Sequence, residues 1–472
     1  MNTETQFFFG GGGQTDVRAI TLALVIVTSA LLFCLPRRYA FIPLLITAIL
    51  VPLDQQVVLA GLHITMSRVL ICLGWCRLLA AALQHQRIIV ALWNKIDMVF
   101  VLYCISNVVT YFVLWSGDSG ALVNRLGFLY NACGIYFLAR FFITKETDLT
   151  RVAKVLVWIF ALVALGMTCE QLTGKNVFYV LGGVPPISVL REGKIRAQGP
   201  FVHPLTAGAI GATLIPLALG LWWVDKKQKW MALIGVIASV VMSITSRSST
   251  ALLTLAAGSV GISLWRCRRH LRALRWVIVL TLLVLHLVMK APVWALLARI
   301  DLTGSSSGFH RYELVDQFIR RFSEWWLVGT RTTADWGWDM WDTINSYVAA
   351  GTSGGLLNFA LFVAVFVIAF QQLGTRRKYA AQDPLLARQL WILGAMLFAH
   401  AVALFGIAYF DQSQFIWYTE LALIGTAVAI DPVPLLDEEP AAVKNEADWI
   451  SWDLYDAGAA TASDPENSPA TT

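Results

Sequence analysis

Three arginines, far apart in the chain, are the residues best suited to chemistry: Arg196, Arg247 and Arg311. A guanidinium is permanently charged, and its planar fork of donors matches the oxygens of a phosphate. Arg196 belongs to LREGKIRAQGPFVHP, with Arg191 and Lys194 just before it and His203 just after. This group reads as a cationic rim that holds a phosphate at a membrane surface; the competing reading is ordinary headgroup anchoring. His203 fits the rim and a helix cap equally well. Arg247 lies in Ser246-Arg247-Ser248-Ser249-Thr250, a polar knot between two apolar runs. An arginine there is costly unless it is paired, faces a cavity or rests at the interface.

Arg311 stands in GFHRYELVDQFIRRF, residues 308–322. Read as a helix, this segment places Tyr312, Val315, Ile319 and Phe322 on one face, with Arg311 at its edge. Arg320 and Arg321 fall away from that face, toward solvent or Glu313. Arg311 therefore points inward as an anion ligand. Trp325, Trp326, Trp336, Trp338 and Trp341 follow closely. Aromatic faces suit sugar rings or a bilayer interface, and the interface explains about half of them. Trp325 and Trp326 are the candidates for sugar contact. Asp335, Asp339 and Asp342 are spaced to share a helix face, but with no further ligand nearby they read as solvated acids and not as a metal site. Asp342 is also a candidate to pair with an arginine. Arg68 and Arg125, at the ends of apolar runs, read as snorkelling toward headgroups.

The elements that must position these residues are membrane spans. Of 472 residues, 57% are hydrophobic and 14% charged, against about 25% charged in soluble proteins. Apolar runs long enough to cross a bilayer occur near 18–35, 38–53, 66–84, 96–115, 121–143, 152–171, 204–224, 230–246, 250–265, 275–292, 353–373, 388–409 and 413–430. The fold class is an all-α polytopic membrane protein with about 12–13 transmembrane helices; continuous runs exclude a β-barrel. The net charge of +6 follows the loops and does not indicate nucleic acid. Lys and Arg fill one alternate set of loops, while LDQQVVLAGLH, WSGDSG and AYFDQSQ have none. The positive-inside rule then puts the basic set in the cytoplasm and the long loops 172–203 and 293–352 outside. Residues 1–17 form a short segment before an uncleaved first span, 18–292 hold the first ten spans, 353–430 the last three, and 431–472 an acidic, disordered cytoplasmic tail. The seven cysteines lie in or beside apolar runs and imply no disulfide or zinc framework.

The order Arg-Ala-Gln-Gly-Pro-Phe-Val-His-Pro, Ser-Arg-Ser-Ser-Thr, His-Arg-Tyr-Glu-Leu, Trp-Trp-Leu-Val-Gly-Thr and Asn-Ser-Tyr-Val, followed by Gly354-Gly355, resembles the O-antigen ligase and polymerase family, the Wzy-like and WaaL-like membrane glycosyltransferases. The resemblance covers roughly 20–430 and is most specific over 190–355. It implies a GT-C-like helical fold, an external loop closing over a cavity open to lipid, a glycan donor on undecaprenyl pyrophosphate, and no cofactor. The pyrophosphate-holding role falls to Arg247 and Arg311, with Arg196, Arg191, His203 and His310 around them and Asp342, Asn345 and Tyr347 at the end of the loop. The ligase branch typically has a His-Asn pair before that tyrosine. Here Ile344 stands where the histidine aligns, and isoleucine cannot take a proton. The resemblance thus favours a repeat-unit polymerase of exopolysaccharide or O-antigen in the bacterial inner membrane, acting on the periplasmic side. Ligation to lipid A or another acceptor is the alternative, and transport of lipid-linked sugar a more distant one. A general base, if needed, is Asp342, Glu313 or His310. Membrane lipids and a chain-length regulator are the expected partners.

Overall fold

A computed structural model describes residues 15–59, 62–84, 93–191, 193–299, 307–410 and 412–429. The acidic tail, residues 1–14, Arg87 and the 300–306 part of the large loop lie outside the described residues.

Helices appear wherever an apolar run predicts one. The first six are α1 (Ala19–Cys34), α2 (Phe41–Leu50), α3 (Met66–Leu83), α4 (Lys95–Leu114), α5 (Ser119–Phe142) and α6 (Glu146–Thr173). Then follow α7 (Pro204–Val224), α8 (Lys229–Thr245), α9 (Ser249–Ser263) and α10 (Leu271–Val288). The large loop adds α11 (Ser307–Arg320) and the single turn α12 (Phe322–Trp325), and the chain closes on α13 (Ser346–Tyr379), α14 (Pro384–Ala403) and α15 (Gln412–Ala429). The strands form two small antiparallel hairpins, β1 (Gln56–Leu59) with β2 (Leu62–Thr65), and β3 (Val189–Arg191) with β4 (Lys194–Arg196).

Among the described residues, nine helices are long and apolar enough to cross a membrane, with α1 and α2 as shorter apolar helices. The architecture is therefore all-α and polytopic. The helices α5 and α15 fall short of that apolarity because they carry Asn124, Arg125 and Asn131, and Gln412, Gln414 and Glu420. Nearly all of α15 is nonetheless inside the protein, where neighbouring helices and not water satisfy its polar groups. One group of helices packs α7 against α8, α9 and α14; another packs α4 against α5 and α13. Small residues permit the close approach: a Cβ on Gly208 would come within 2.6 Å of the Ser246 Cβ, and one on Gly211 within 2.5 Å of the Met242 Cβ. By contrast, α10 buries no residue.

The last spans differ from expectation at one boundary. The helix predicted from 353 begins at Ser346 and breaks at Gly355 (φ 74°, ψ −172°), so the large loop ends seven residues earlier than expected, on a short helical segment before the break. Only glycine adopts that φ without strain. The break lets Leu356 N donate to Trp326 O (2.7 Å) while Thr330 N donates to Thr352 O (2.7 Å). These two bonds fasten the large loop to α13.

Candidate functional site at the arginine turn

The sharp turn between α8 and α9 organises the site. Arg247 takes a left-handed backbone (φ 50°), which is uncommon for a residue with a side chain and costs conformational energy. The turn throws Arg247 outward while Ser246, Ser248 and Ser249 stay buried. Arg196, at the end of β4, is 5% exposed and donates through Nε to Ser246 O (3.1 Å); Ala197 N donates to Thr245 O (3.0 Å). From the other side Arg311, also buried, donates through Nη2 to Thr250 Oγ1 (2.8 Å). Three arginines separated by 51 and 64 residues in the chain thus converge on one short turn, residues 245–250.

The helix starts reinforce that positive centre. Both α7 and α9 present their N-terminal ends here, and the partial positive charge of a helix N-terminus favours anions. His203 is the N-cap of α7, its Nδ1 accepting from Leu205 N (3.1 Å). That bond makes it a cap, one of the two roles its sequence allows, and leaves Nε2 to carry the proton of the neutral ring. Burial, then the charges of Arg196 and Arg191, push His203 down to about 4. Burial, then Arg191, lowers Arg196 to about 10. Arg191, Arg196 and His203 therefore form one cluster in which charge repels charge, and an anion would relieve that repulsion.

Behind the turn lies a brace that the sequence reading missed. The segment 404–410 supplies Gly406 O to the Thr250 hydroxyl (3.3 Å), Leu404 O to Ser346 N (2.9 Å) and Ile407 O to Ser346 Oγ (2.9 Å). Tyr409, on the same segment, places its hydroxyl 2.9 Å from His400 Nδ1, and His400 Nε2 meets the Glu420 carboxylate. His400 and Glu420 are fully buried. Glu170 is a second missed acid: it accepts from Gly199 N (2.9 Å), Gln198 N (3.2 Å) and Ser188 Oγ (3.1 Å), shaping the turn that follows Arg196. An ionisable residue inside an apolar run was the available signal for both Glu170 and Glu420.

The large loop keeps its inward arginine but not the predicted face. The buried stripe of α11 runs through Arg311, Leu314 and Phe318, while Ile319 and Phe322 are 45% and 43% exposed. The cause is tertiary: Phe318 stacks on Trp325 (centroids 3.9 Å apart, 13° between planes), and the helix ends before Phe322. Trp325 is accordingly buried, its Nε1 donating to Phe318 O (2.7 Å). It is part of the loop's small core with Leu314, Trp336, Met340 and Val348, and is not a sugar platform. Ile344 packs against the same core. Trp326, Trp338 and Trp341 remain exposed. Arg320 pairs with Asp316 (2.6 Å) and Arg321 with Glu324 (3.1 Å), so Glu313 is the partner of neither.

The acids at the end of the loop also differ from expectation. Asp335 lies in one 3-10 turn and Asp339 has a positive φ of 60°, so the three aspartates share no helix face. Asp342 forms no ion pair among the described residues. Partial burial raises its pKa, His310 nearby lowers it, and Asp339 raises it. Asn345 is buried as the N-cap of α13, accepting from Tyr347 N (2.9 Å) and Val348 N (3.2 Å). Tyr347 donates to Ala401 O (2.9 Å) among Phe362, Phe366 and Phe405. Arg68 and Arg125 do not snorkel freely: Arg68 donates to Asn131 Oδ1 (3.2 Å) and His63 O (2.5 Å), and Arg125 lies 3.7 Å from the centre of the Tyr111 ring. Both are bound within the protein because an internal acceptor or ring was within reach.

The chain matches no protein-family model and no curated protein.

Proposed function

We propose that this chain is a membrane glycosyltransferase of the O-antigen ligase and polymerase type, with a GT-C-like helical fold. It polymerises undecaprenyl-pyrophosphate-linked oligosaccharide repeat units into exopolysaccharide or O-antigen on the outer face of a bacterial inner membrane. The observation that carries this reading is the convergence of Arg196, Arg247 and Arg311 on the 245–250 turn.

The reaction needs little beyond charge and position. The acceptor hydroxyl attacks the anomeric carbon of the donor glycan, the bond to the pyrophosphate oxygen breaks, and the hydroxyl proton passes to a base. Arginines already in place where charge accumulates lower the barrier to pyrophosphate departure. Holding two lipid-anchored glycans end to end removes much of the remaining entropy cost. Asp342, with its raised pKa and His310 beside it, is suited to receive the proton. Asn345 and Tyr347 position the helix start behind the site, and Asn345 does so through its cap bonds. Ile344, packed in the loop core, favours polymerisation over a ligase chemistry that places histidine there.

Purified protein supplied only with lipid-linked repeat units is expected to form a ladder of longer glycans. Product formed only after lipid A is added would establish a ligase instead. Substrate crossing a vesicle bilayer with no new glycosidic bond would establish a transporter.

A further inference from the structure

The end of the bundle opposite the arginine turn holds a second cationic cluster. Trp223 near the end of α7, Trp265 just past α9 and Trp391 in α14 meet edge to face, with centroids 5.0 and 5.5 Å apart and planes at 89° and 77°. A guanidinium lies against each ring: Arg388 is 5.8 Å from the centre of Trp223, Arg268 is 4.3 Å from Trp265, and Arg377 is 5.4 Å from Trp391. Arg388 donates to Trp223 O (3.3 Å) and Arg268 to Trp265 O (3.1 Å), one donor apiece. Arg377 and Arg268 are close enough for their charges to act on each other. Among the described residues, none of the three is in an ion pair.

Loop basicity alone calls for arginines at this end but not for their convergence on three tryptophans packed edge to face. Asp225, a carboxylate that lines the groove beside them, is held by Lys227 N (2.9 Å) and Gln228 Nε2 (3.0 Å) and pairs with none of the three guanidiniums, which keep most of their donors for an anion. Beside the cluster runs an apolar groove lined by Leu217, Leu221, Val224, Ile392, Leu393 and Leu423. Val224 and Gln389, which both line the groove, are the chain neighbours of Trp223 and Arg388. The Gln389 side-chain oxygen is buried with no hydrogen-bond partner. Headgroup charge, interfacial tryptophan and an apolar groove therefore adjoin one another.

We infer that Arg268, Arg377 and Arg388 with the groove beside them form a binding site for one anionic phospholipid. Its phosphodiester is held by the guanidiniums and an acyl chain lies along Leu221 and Ile392. The site is independent of the glycosyl-transfer reading.

The test is native mass spectrometry of the full chain in detergent, with phosphatidylglycerol and phosphatidylcholine at equal concentration. We expect one phosphatidylglycerol retained in preference to phosphatidylcholine, weakening by about fivefold for each arginine removed, a scale set by the attraction of one basic residue to an anionic surface. Arg268→Ala with Arg388→Ala is the main variant. Arg377→Gln is the second, because it removes charge without removing a helix-end hydrogen bond. Equal retention of the two lipids would overturn the inference. So would an equal loss from Arg266→Ala with Arg269→Ala, exposed arginines outside the cluster, or full displacement of the lipid by inorganic phosphate, which would make it a site for the free anion.

Discussion

Two buried arginines show how differently this bundle treats the same side chain. Arg140 in α5 is neutralised: its Nη2 is 3.1 Å from Asp97 Oδ2, and its Nη1 donates to Thr426 Oγ1 (3.2 Å). Asp97 also accepts from Tyr136 (2.6 Å) and Asn94 N (2.8 Å), so its carboxylate joins α4 to α5, while Arg140 and Asn94 carry the link on to α15. Arg196, almost as buried, is held by a backbone carbonyl, and Arg247 forms no ion pair among the described residues. A guanidinium paired with carboxylate ties helices together but has little charge left to offer. One held by a neutral acceptor keeps its charge for a ligand.

The largest expected effect falls on the paired arginine. Asp97→Ala leaves a buried guanidinium without its counter-charge and takes the acceptor from Tyr136, a loss of about 3–5 kcal/mol. We expect the variant to lose most of its folded yield in detergent, with a clearly lower melting temperature. A melting temperature equal to wild type would show that Arg140 was never dependent on Asp97, and the contrast would collapse.

Next comes the ligand-directed set. Arg311→Ala is expected to cut polymer formation by about 10²–10³, the scale of losing one preorganised donor at a developing negative charge, with little change in melting temperature. Arg320→Ala, whose side chain is 67% exposed and which pairs with Asp316 among the described residues, should change activity by less than about twofold, as for an exposed salt bridge. Chain length and amount of polymer in cells separate the two variants, and the reverse pattern would place the site on the wrong face of α11.

The brace behind the turn ranks third. Tyr409→Phe removes the hydroxyl that reaches His400 but keeps the ring, so we expect a loss of about 1 kcal/mol, or roughly fivefold in turnover. The loss should not add to that of Thr250→Val, since the brace reaches Arg311 only through Gly406 O and the Thr250 hydroxyl that it holds. Multiplicative losses in the double variant would disconnect the brace from the arginines.

What could be read from the sequence follows the range of the forces involved. All thirteen apolar runs became helices, because one continuous apolar stretch decides a span locally. The inward direction of Arg311 was also legible, from spacing along a single helix. The apolar face around it was not, because Phe318 is turned inward by Trp325, a partner in another element. Arg68 reads as a surface cation until Asn131, 63 residues later, is placed beside it. His400 and Glu420 were visible as ionisable residues in apolar runs, yet only the packing of α14 against α15 makes them a pair.

The smallest effect tests whether the arginine cluster is as crowded with charge as its geometry implies. His203 titrates near 6.5 in an unfolded chain and at about 4 in place. Between those values the unfolded chain binds the extra proton, so stability rises with pH through this window and the contribution is complete above the unfolded value. A single proton limits the slope to about 1.4 kcal/mol per pH unit. Melting temperature should therefore fall as pH drops from 6.5 toward 4, and His203→Asn, which keeps an N-cap acceptor, should flatten part of that fall. Bound pyrophosphate should flatten it too, since an anion beside Arg191 and Arg196 favours the imidazolium and draws the folded value back toward 6.5. If pyrophosphate leaves the pH dependence unaltered while still binding, its site does not include this end of α7, and the phosphate contacts rest with Arg247 and Arg311.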